Sequence, residues 1–220
     1  MIDVIIPSKT SAQFAQLASN CIASLRQSEP RQFNVVVVES EHETHPFNAG
    51  QDKTIFWDPE RKFNYNGALN LGIRATTNEW VVLTNNDVIF HPGWFTEILK
   101  VNAKHPDLMS FCSWCDYDNW HPSRYPNVAP DVDHVINDWI GYGMASWTII
   151  VKREVLNVID LSERVSFWYS DNVYADAVKK HGYKHALAVH SKIDHLSSQT
   201  IKTIAYNSAE DKCAYNKGTR

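Results

Sequence analysis

The chain lacks the features that would place it in a membrane or outside the cell. No segment approaches the roughly 20 consecutive apolar residues of a membrane-spanning helix, and the first residues, MIDVIIPSKTS, lack the basic-then-apolar order of a secretory signal. Four cysteines and the lack of any N-x-S/T site give no sign of a secreted disulfide scaffold. These absences favour a cytoplasmic protein.

The chain also has little net charge. It contains 21 Lys and Arg against 25 Asp and Glu, a net charge of −4, so no overall positive field attracts nucleic acid or an anionic membrane. A basic run at 179–184 and three tail residues, Lys212, Lys217 and Arg220, would be the contacts for a polyanionic acceptor such as modified DNA. The more ordinary explanation of that run is a helix end. DNA therefore remains open as an acceptor but is not indicated by net charge.

What the chain does have is the pattern of an α/β protein. With 220 residues, 44% of them hydrophobic, it is long enough for one domain with a sizeable core. β-branched runs alternate with helical patterns, which is typical of a mostly parallel sheet flanked by helices. Strands are predicted at 2–6, 33–38, 54–57, 79–84, 108–111, 145–151 and 185–193, and helices at 11–27, 65–75, 92–104, 153–158 and 171–181.

Several residues are predicted to end or cap these elements. We expect Pro7 to end the first strand and Asn64 to cap the second helix. We expect Ser170 to cap the helix at 171–181, and Gly182 to close it. Residues 114–139 are too irregular for a strand or helix and too aromatic for a linker, so they predict an ordered excursion that walls a cleft.

Polar residues follow three of the predicted strands. Pro7-Ser8 ends the first, Glu39-Ser40 the second, and Asn85-Asn86-Asp87 the strand at 79–84. Turn formation explains each group taken singly. Ligands of open α/β sheets bind at the carboxyl ends of the strands, so together the groups predict a binding site at one sheet edge.

The order of motifs along the chain resembles family 2 glycosyltransferases with the GT-A fold. VIIPSKT, VVVVES, NGALNLGI and WVVLTNNDV resemble the nucleotide-sugar-binding half of that family. GYGMASWTIIVKREVL resembles its acceptor loop, FWYSDNVYADAVKKHGYK its acidic catalytic segment, and AVHSKIDH the strand with its metal-binding histidine. The resemblance implies one GT-A-like (Rossmann-like) domain at 1–196, with a nucleotide-sugar-binding half at 1–110, an acceptor and catalytic half at 111–196, and a polar tail at 197–220.

The resemblance also implies a reaction. The enzyme would move a sugar from a nucleotide-sugar donor to an acceptor hydroxyl, on a glycan or a modified base of phage-type DNA, with inversion of the anomeric carbon. Asp87 and His195 would bind a divalent cation, Mn²⁺ or Mg²⁺, which stabilises the leaving diphosphate. Asp171 would act as general base. A helix-dipole role for Asp171 and a purely structural role for His195 remain alternatives.

The donor-binding residues implied by the resemblance come from four segments. Glu39 would bind the nucleoside, where Asp is more usual in the family. The other implied contacts are Pro7, Ser8, Asn66, Asn85 and Asn86. For Asn70 we favour helix packing. The sequence departs from the family pattern at Asn85, where many relatives carry Asp, and at Leu69, where many carry Arg.

Two other functions share this type of sheet, a sugar nucleotidyltransferase and a non-catalytic nucleotide-sugar-binding module. The first normally has a glycine-rich phosphate loop after its first strand, and the loop at 7–11 has no glycine. Trp114, Trp120, Trp139 and Trp147 would offer faces for sugar or base stacking, although we expect at least two in the core. The Cys112 and Cys115 pair is expected to be structural and reduced, and the HETH segment at 42–45 has the wrong spacing for zinc.

Overall fold

A computed structural model describes residues 1–9, 12–40, 48–129, 131–136, 144–145, 147–196 and 208–218. Several residues singled out from the sequence lie outside this part of the chain. They are Trp139, His42, His45, Arg220 and the first residues of the glycine-containing loop at 141–143.

Within the described residues, nine strands form one sheet. They are β1 (Ile2–Ser8), β2 (Phe33–Glu39), β3 (Lys53–Phe56), β4 (Trp80–Thr84), β5 (Val88–Phe90), β6 (Leu108–Cys115), β7 (His134–Ile136), β8 (Thr148–Lys152) and β9 (Lys184–His195). The strand order is β3-β2-β1-β4-β8-β6-β9-β5, and β7 pairs with β9. The pairings make β1, β2, β3, β4, β6 and β9 run in one direction, and β5, β7 and β8 in the other. The mostly parallel sheet is confirmed.

Helices cover both faces of this sheet. They are α1 (Ala12–Ser28), α2 (Tyr65–Arg74), α3 (Trp94–Lys104), α4 (Trp120–Arg124), α5 (Arg153–Leu156), α6 (Ser170–Lys180) and α7 (Ser208–Gly218), with a 3-10 turn at Tyr117–Asn119. Because side chains alternate along a strand, Val4 and Ile6 of β1 join the hydrophobic cluster under α1 and α3, while Ile5 joins the cluster under α2, α5 and α6. The core therefore has two layers separated by the sheet.

The predicted caps are partly right. Asn64 caps α2, since its Oδ1 accepts a hydrogen bond from Gly67 N at 2.8 Å, and Gly182 closes α6 with φ of 73°. The prediction for Ser170 was wrong because Ser170 lies inside α6 and its hydroxyl donates to Phe167 O at 2.5 Å. The residue at the N-cap is Tyr169, which has φ of 67° and no side-chain capping bond.

Three strand predictions also differ from the structure. Pro7 does not end β1, because it pairs with Val38 of β2 inside the strand. The pairing of β1 with β4 stops at Ile5, so no hydrogen bond to β4 requires the backbone N–H that proline lacks. The three-residue strand β5 was not predicted. Residues 114–139 were expected to be irregular, yet β6 extends to Cys115 and the segment contains α4 and β7.

Among the described residues, no helix combines the length and apolar character that crossing a membrane requires.

Candidate active site

The carboxyl ends of β1, β2 and β4 meet at one edge of the sheet. These strands are neighbours and parallel, and their register sets Ser8 beside Glu39. Both residues are buried, and so is Asn86, whose Nδ2 donates to Ser8 Oγ at 3.5 Å. The sequence prediction that polar residues from three strand ends share one edge is confirmed.

Asp87 and His195 come together at this edge although 108 positions separate them in the sequence. Asp87 precedes β5 and His195 ends β9, and the antiparallel register of these strands pairs Val88 with His195. The backbone N–H of Leu196 donates to Asp87 O at 3.0 Å. As a result His195 Nε2 lies 3.3 Å from Asp87 Oδ1, and both side chains are buried, with exposed fractions of 8% and 3%.

The geometry of this pair is compatible with a shared cation. Two ligand atoms about 2.1 Å from an octahedral ion and at right angles to each other are about 3 Å apart, close to the observed separation. Within the described residues, no group of three or more His, Cys, Asp or Glu side chains could hold a metal. Within that part of the chain Asp87 and His195 are the two candidate side-chain ligands, and a cation here could take further ligands from phosphate oxygens and water, as Mg²⁺ commonly does.

Trp147 fixes the plane of the His195 ring. The two rings stack with centroids 4.5 Å apart and planes 22° apart. Trp147 packs against the core cluster under α1 and α3, and its neighbour Trp120 meets it edge-on at 4.9 Å. The imidazole is therefore held in orientation by packing, which preorganises its Nε2 toward Asp87.

Tyr65 is a site residue that the sequence did not indicate. It is the first residue of α2, and its hydroxyl donates to Asn85 Oδ1 at 2.7 Å. Burial raises the pKa of Tyr65, and the charges of Asp87 and Asp171 raise it further. The phenol is therefore protonated at neutral pH and lies within the field of both carboxylates.

Asp171 approaches the same site from the first turn of α6. It is half-buried, and its Oδ1 accepts a hydrogen bond from Asn172 N at 2.9 Å. It lines a narrow pocket that Tyr65, Asn66 and Tyr174 also line. The carboxylates of Asp87 and Asp171 therefore both lie close enough to the Tyr65 phenol to act on its pKa.

Two asparagines of α2 bind the backbone at 161–162. Asn66 Nδ2 donates to Ser162 O at 2.9 Å, and Asn70 Nδ2 donates to Leu161 O at 2.8 Å. The packing role favoured for Asn70 agrees with this contact. A donor contact by Asn66 stays a prediction, supported by its place in the pocket. Leu69, where relatives carry Arg, is buried in the core cluster under α2.

The tryptophans are less available for stacking than the sequence suggested. Trp114 is buried in the core cluster under α2, whereas Trp147 is only partly buried against the other cluster, so among the described residues only Trp114 of the four occupies the expected core position. The Arg124 guanidinium lies 3.5 Å from the ring centroid of Trp120 and covers one of its faces.

The cysteines are free, as expected. Cys112 and Cys115 are buried in β6, and burial raises the pKa of the Cys115 thiol. Burial likewise raises the pKa of Cys21 to about 12. Neither Cys21 nor Cys115 therefore has the lowered pKa of a reactive cysteine.

Comparison with known proteins identifies the class. The model of the family described as Glycosyl transferase family 2 matches residues 3–137, which is more than half of the chain. The chain therefore belongs to glycosyl transferase family 2, and it is a glycosyltransferase. A comparison with curated proteins finds no match.

Among solved structures, the chain is similar to the mannosyltransferase PcManGT from Pyrobaculum calidifontis, which was solved in complex with GDP-Man and Mn²⁺. The TM-score is 0.65 at 13% sequence identity, and the similarity covers 98% of this chain and 68% of that chain. At this identity the similarity is evidence for the fold, and it confirms the predicted GT-A-like architecture.

Proposed function

We propose that this glycosyltransferase moves a sugar from a nucleoside diphosphate donor to an acceptor hydroxyl, with inversion and with the help of a divalent cation. The observation that supports this most strongly is the 3.3 Å contact between buried Asp87 and His195. Asp171 lines a pocket together with Tyr65, and the charges of Asp87 and Asp171 both raise the pKa of that tyrosine, which supports a role for Asp171 beside the pair. A metal-binding pair and a separate carboxylate are the two groups that such a displacement needs.

Asp87 and His195 are the residues that would hold the cation. Oxygen and imidazole ligands together with phosphate oxygens suit Mn²⁺, and Mg²⁺ is also compatible. When bound, the ion would stabilise the negative charge that develops on the leaving diphosphate. The Mn²⁺ in the complex of the similar mannosyltransferase supports this choice.

Asp171 is the proposed general base. An acceptor hydroxyl is a poor nucleophile, and a carboxylate within hydrogen-bond reach removes its proton as it attacks the anomeric carbon. Attack from the face opposite the leaving diphosphate inverts the configuration in a single step. Asp171 lies in the first turn of α6, where the positive end of the helix dipole stabilises a carboxylate.

The donor would lie along the edge formed by β1, β2 and β4. Glu39 is the proposed acceptor of hydrogen bonds from the nucleoside, and its neighbours Pro7 and Ser8 would line the base pocket. Asn85 and Asn86 would contact the ribose or diphosphate. The buried position of Glu39, Ser8 and Asn86 supports a polar pocket in which such contacts are strong.

We propose a glycan hydroxyl as the acceptor. Lys184 of the basic run pairs with Asp107 at 2.5 Å, which reduces the positive charge that a DNA acceptor would meet. The proposal also divides the chain into a donor-binding half at 1–110, an acceptor-binding half at 111–196 and a tail from 197. It includes a cytoplasmic location for the protein.

A thermal-shift screen of GDP-, UDP- and dTDP-sugars, each with and without Mn²⁺, tests the proposal. A donor present at 100 times its Kd is expected to stabilise the fold by about 2.7 kcal/mol. Asp87→Ala and His195→Ala should abolish the Mn²⁺-dependent part of the shift. His190→Ala is the matched control, because His190 lies exposed on the same strand as His195.

Turnover distinguishes the three candidate activities. Release of nucleoside diphosphate with the stabilising donor supports sugar transfer, and release of pyrophosphate from a nucleoside triphosphate and a sugar phosphate would indicate a nucleotidyltransferase instead. A donor that binds without any turnover across a broad acceptor panel would indicate a binding module. Failure of every donor to shift the melting temperature in the presence of Mn²⁺ would contradict the proposal.

A further inference from the structure

Helix α7 docks on the protein through a carboxylate. Surface helices normally bury an apolar stripe, but Asp211 is the single buried residue among those described in α7. Its exposed fraction is 4%. The helix is otherwise polar, so apolar burial does not explain why it lies where it does.

The Asp211 carboxylate accepts hydrogen bonds from three consecutive backbone amides. Ser166 N donates at 2.7 Å, Phe167 N at 3.0 Å and Trp168 N at 2.9 Å, and the Ser166 hydroxyl adds contacts at 2.9 and 3.0 Å. Successive amides arranged in this way form a concave anion-binding site. Burial raises the pKa of Asp211, but these hydrogen bonds outweigh it and lower the pKa overall, so the carboxylate is ionised.

The segment that Asp211 binds leads directly to the proposed active site. Ser166 O accepts a hydrogen bond from Tyr65 N at 2.8 Å, and the Phe167 ring meets the Tyr65 ring edge-on at 5.5 Å. Phe167 O accepts the hydroxyl of Ser170, the residue before Asp171. Residues 166–168 therefore connect α7 both to Tyr65 and to the start of α6.

A second contact from α7 supports the strained residue of this connection. Tyr169 has φ of 67°, a left-handed conformation that a bulky residue adopts at a cost in energy. Its ring stacks on Tyr215 of α7 with centroids 5.4 Å apart and planes 16° apart. The buried Asp211 and the stacked Tyr215 of α7 therefore both contact the four residues before α6, residues 166–169.

We propose that α7 positions the catalytic base: Asp211 anchors residues 166–168 and so holds the start of α6, with Asp171, against Tyr65. The identity of Asp171 as base rests on the proposed function. Asp211 touches neither donor nor acceptor in this proposal and is a positioning residue.

Hydrogen exchange of the full-length protein tests the anchoring. Asp211→Asn changes the shape little but removes the charge that binds the three amides. We expect exchange at 166–168 and in the first turn of α6 to become at least about tenfold faster, with the sheet unchanged. Glu210→Gln is the matched control, because Glu210 is exposed on the same turn and lies 3.9 Å from Lys62.

The Asp211→Glu variant provides rescue by charge. Because a carboxylate of either length can bind the amides, Asp211→Glu should restore part of the protection from exchange at 166–168. It also keeps the experiment decisive if Asp211→Asn folds poorly. Faster exchange confined to α7, or equal exchange in Asp211→Asn and Glu210→Gln, would overturn the anchoring.

Kinetics test the consequence for the base. With the best donor from the GDP-, UDP- and dTDP-sugar screen, Asp211→Asn should lower kcat about tenfold or more while the donor KM stays within about twofold, because the buried and stacked contacts of α7 are made with residues 166–169. An unchanged kcat alongside faster exchange would overturn the positioning of Asp171. A wild-type protein that turns over none of these donors would contradict the proposed function, and the exchange measurement would still decide whether Asp211 anchors the segment.

Discussion

Two regions of the molecule place polar groups at the site in different ways. At the edge of β1, β2 and β4, strand register positions Ser8, Glu39 and residues 85–87. The segment 161–171 is positioned instead by hydrogen bonds from side chains far away in the sequence. These side chains are Asn66 and Asn70 of α2 and Asp211 of α7. The first arrangement is rigid as long as the sheet is intact. The second depends on a few polar contacts, so single substitutions should loosen the base without disturbing the donor edge.

Asp171→Asn should separate the two regions most clearly. The amide cannot accept a proton, so kcat is expected to fall by about 10²- to 10⁴-fold. Donor binding, measured by thermal shift with Mn²⁺, should be retained because the donor edge is untouched. Asp160→Asn, at an exposed position before α6, is the control. Equal losses of kcat in the two variants would remove Asp171 from the mechanism.

The sheet region should be sensitive at a buried ion pair far from the site. Asp3 is fully buried, and its carboxylate contacts Arg153 at 2.8 Å and the side chain and backbone N–H of Asn78 at 2.7 Å. Asp3→Ala leaves Arg153 without its counter-charge and should lower the free energy of unfolding by about 3–5 kcal/mol. Urea unfolding would measure this loss.

An exposed pair provides the comparison for Asp3. Glu97→Gln breaks the contact of Glu97 with Lys100 on α3, and exposed pairs of this kind contribute about 0.5 kcal/mol or less. Similar effects for the two variants would show that the buried network does not hold β1 to the start of α5.

The packing of α2 on β1 should be sensitive to a single methyl group. A Cβ at Gly72 would lie 2.3 Å from Ile5 Cγ2, so Gly72→Ala should destabilise the fold by about 1–3 kcal/mol. Without this contact, alanine in a helix would stabilise the protein by up to about 1 kcal/mol. The sign of the change in thermal unfolding therefore tests how closely α2 approaches the sheet.

Tyr65→Phe should have a smaller effect on catalysis. It removes the hydrogen bond to Asn85 but keeps the ring packed on Phe167, so kcat/KM is expected to fall about 2- to 10-fold with little change in stability. Tyr183→Phe, a half-buried tyrosine after α6, is the control. An unchanged kcat/KM would mean that the phenol does not organise the turn at 85–87.

The smallest expected effect is the pH dependence of α7 docking. Because the folded-state pKa of Asp211 is lowered, its contribution to stability is present above the usual pKa of about 3.8 and is lost as the pH falls through the lower folded value. The difference in unfolding free energy between wild type and Asp211→Asn should therefore shrink from pH 7 to pH 3. A constant difference would mean that the charge of Asp211 is not what matters.

Local patterns were enough for most of the fold and for the polar residues at the sheet edge. Glu39 and residues 85–87 could be located because they directly follow strongly apolar strands, and Asn64 because a cap acts on the residues next to it. The strand β5 was missed since three residues carry too little periodicity to separate a strand from a turn. Tyr65 and Asp211 were missed because nothing in their own neighbourhoods distinguishes them from surface positions on amphipathic or polar helices.

The sequence by itself determined most of the strands and helices, the apolar face of the longer ones, and that polar groups follow three parallel strands. These properties depend on side-chain periodicity and on backbone preferences within a few residues. Only the tertiary structure decided that His195 meets Asp87, that Tyr65 lies within the fields of two carboxylates, and that Asp211 binds the segment before Asp171. Those contacts join residues far apart in the chain, and they follow from sheet order and helix docking, which no local pattern specifies.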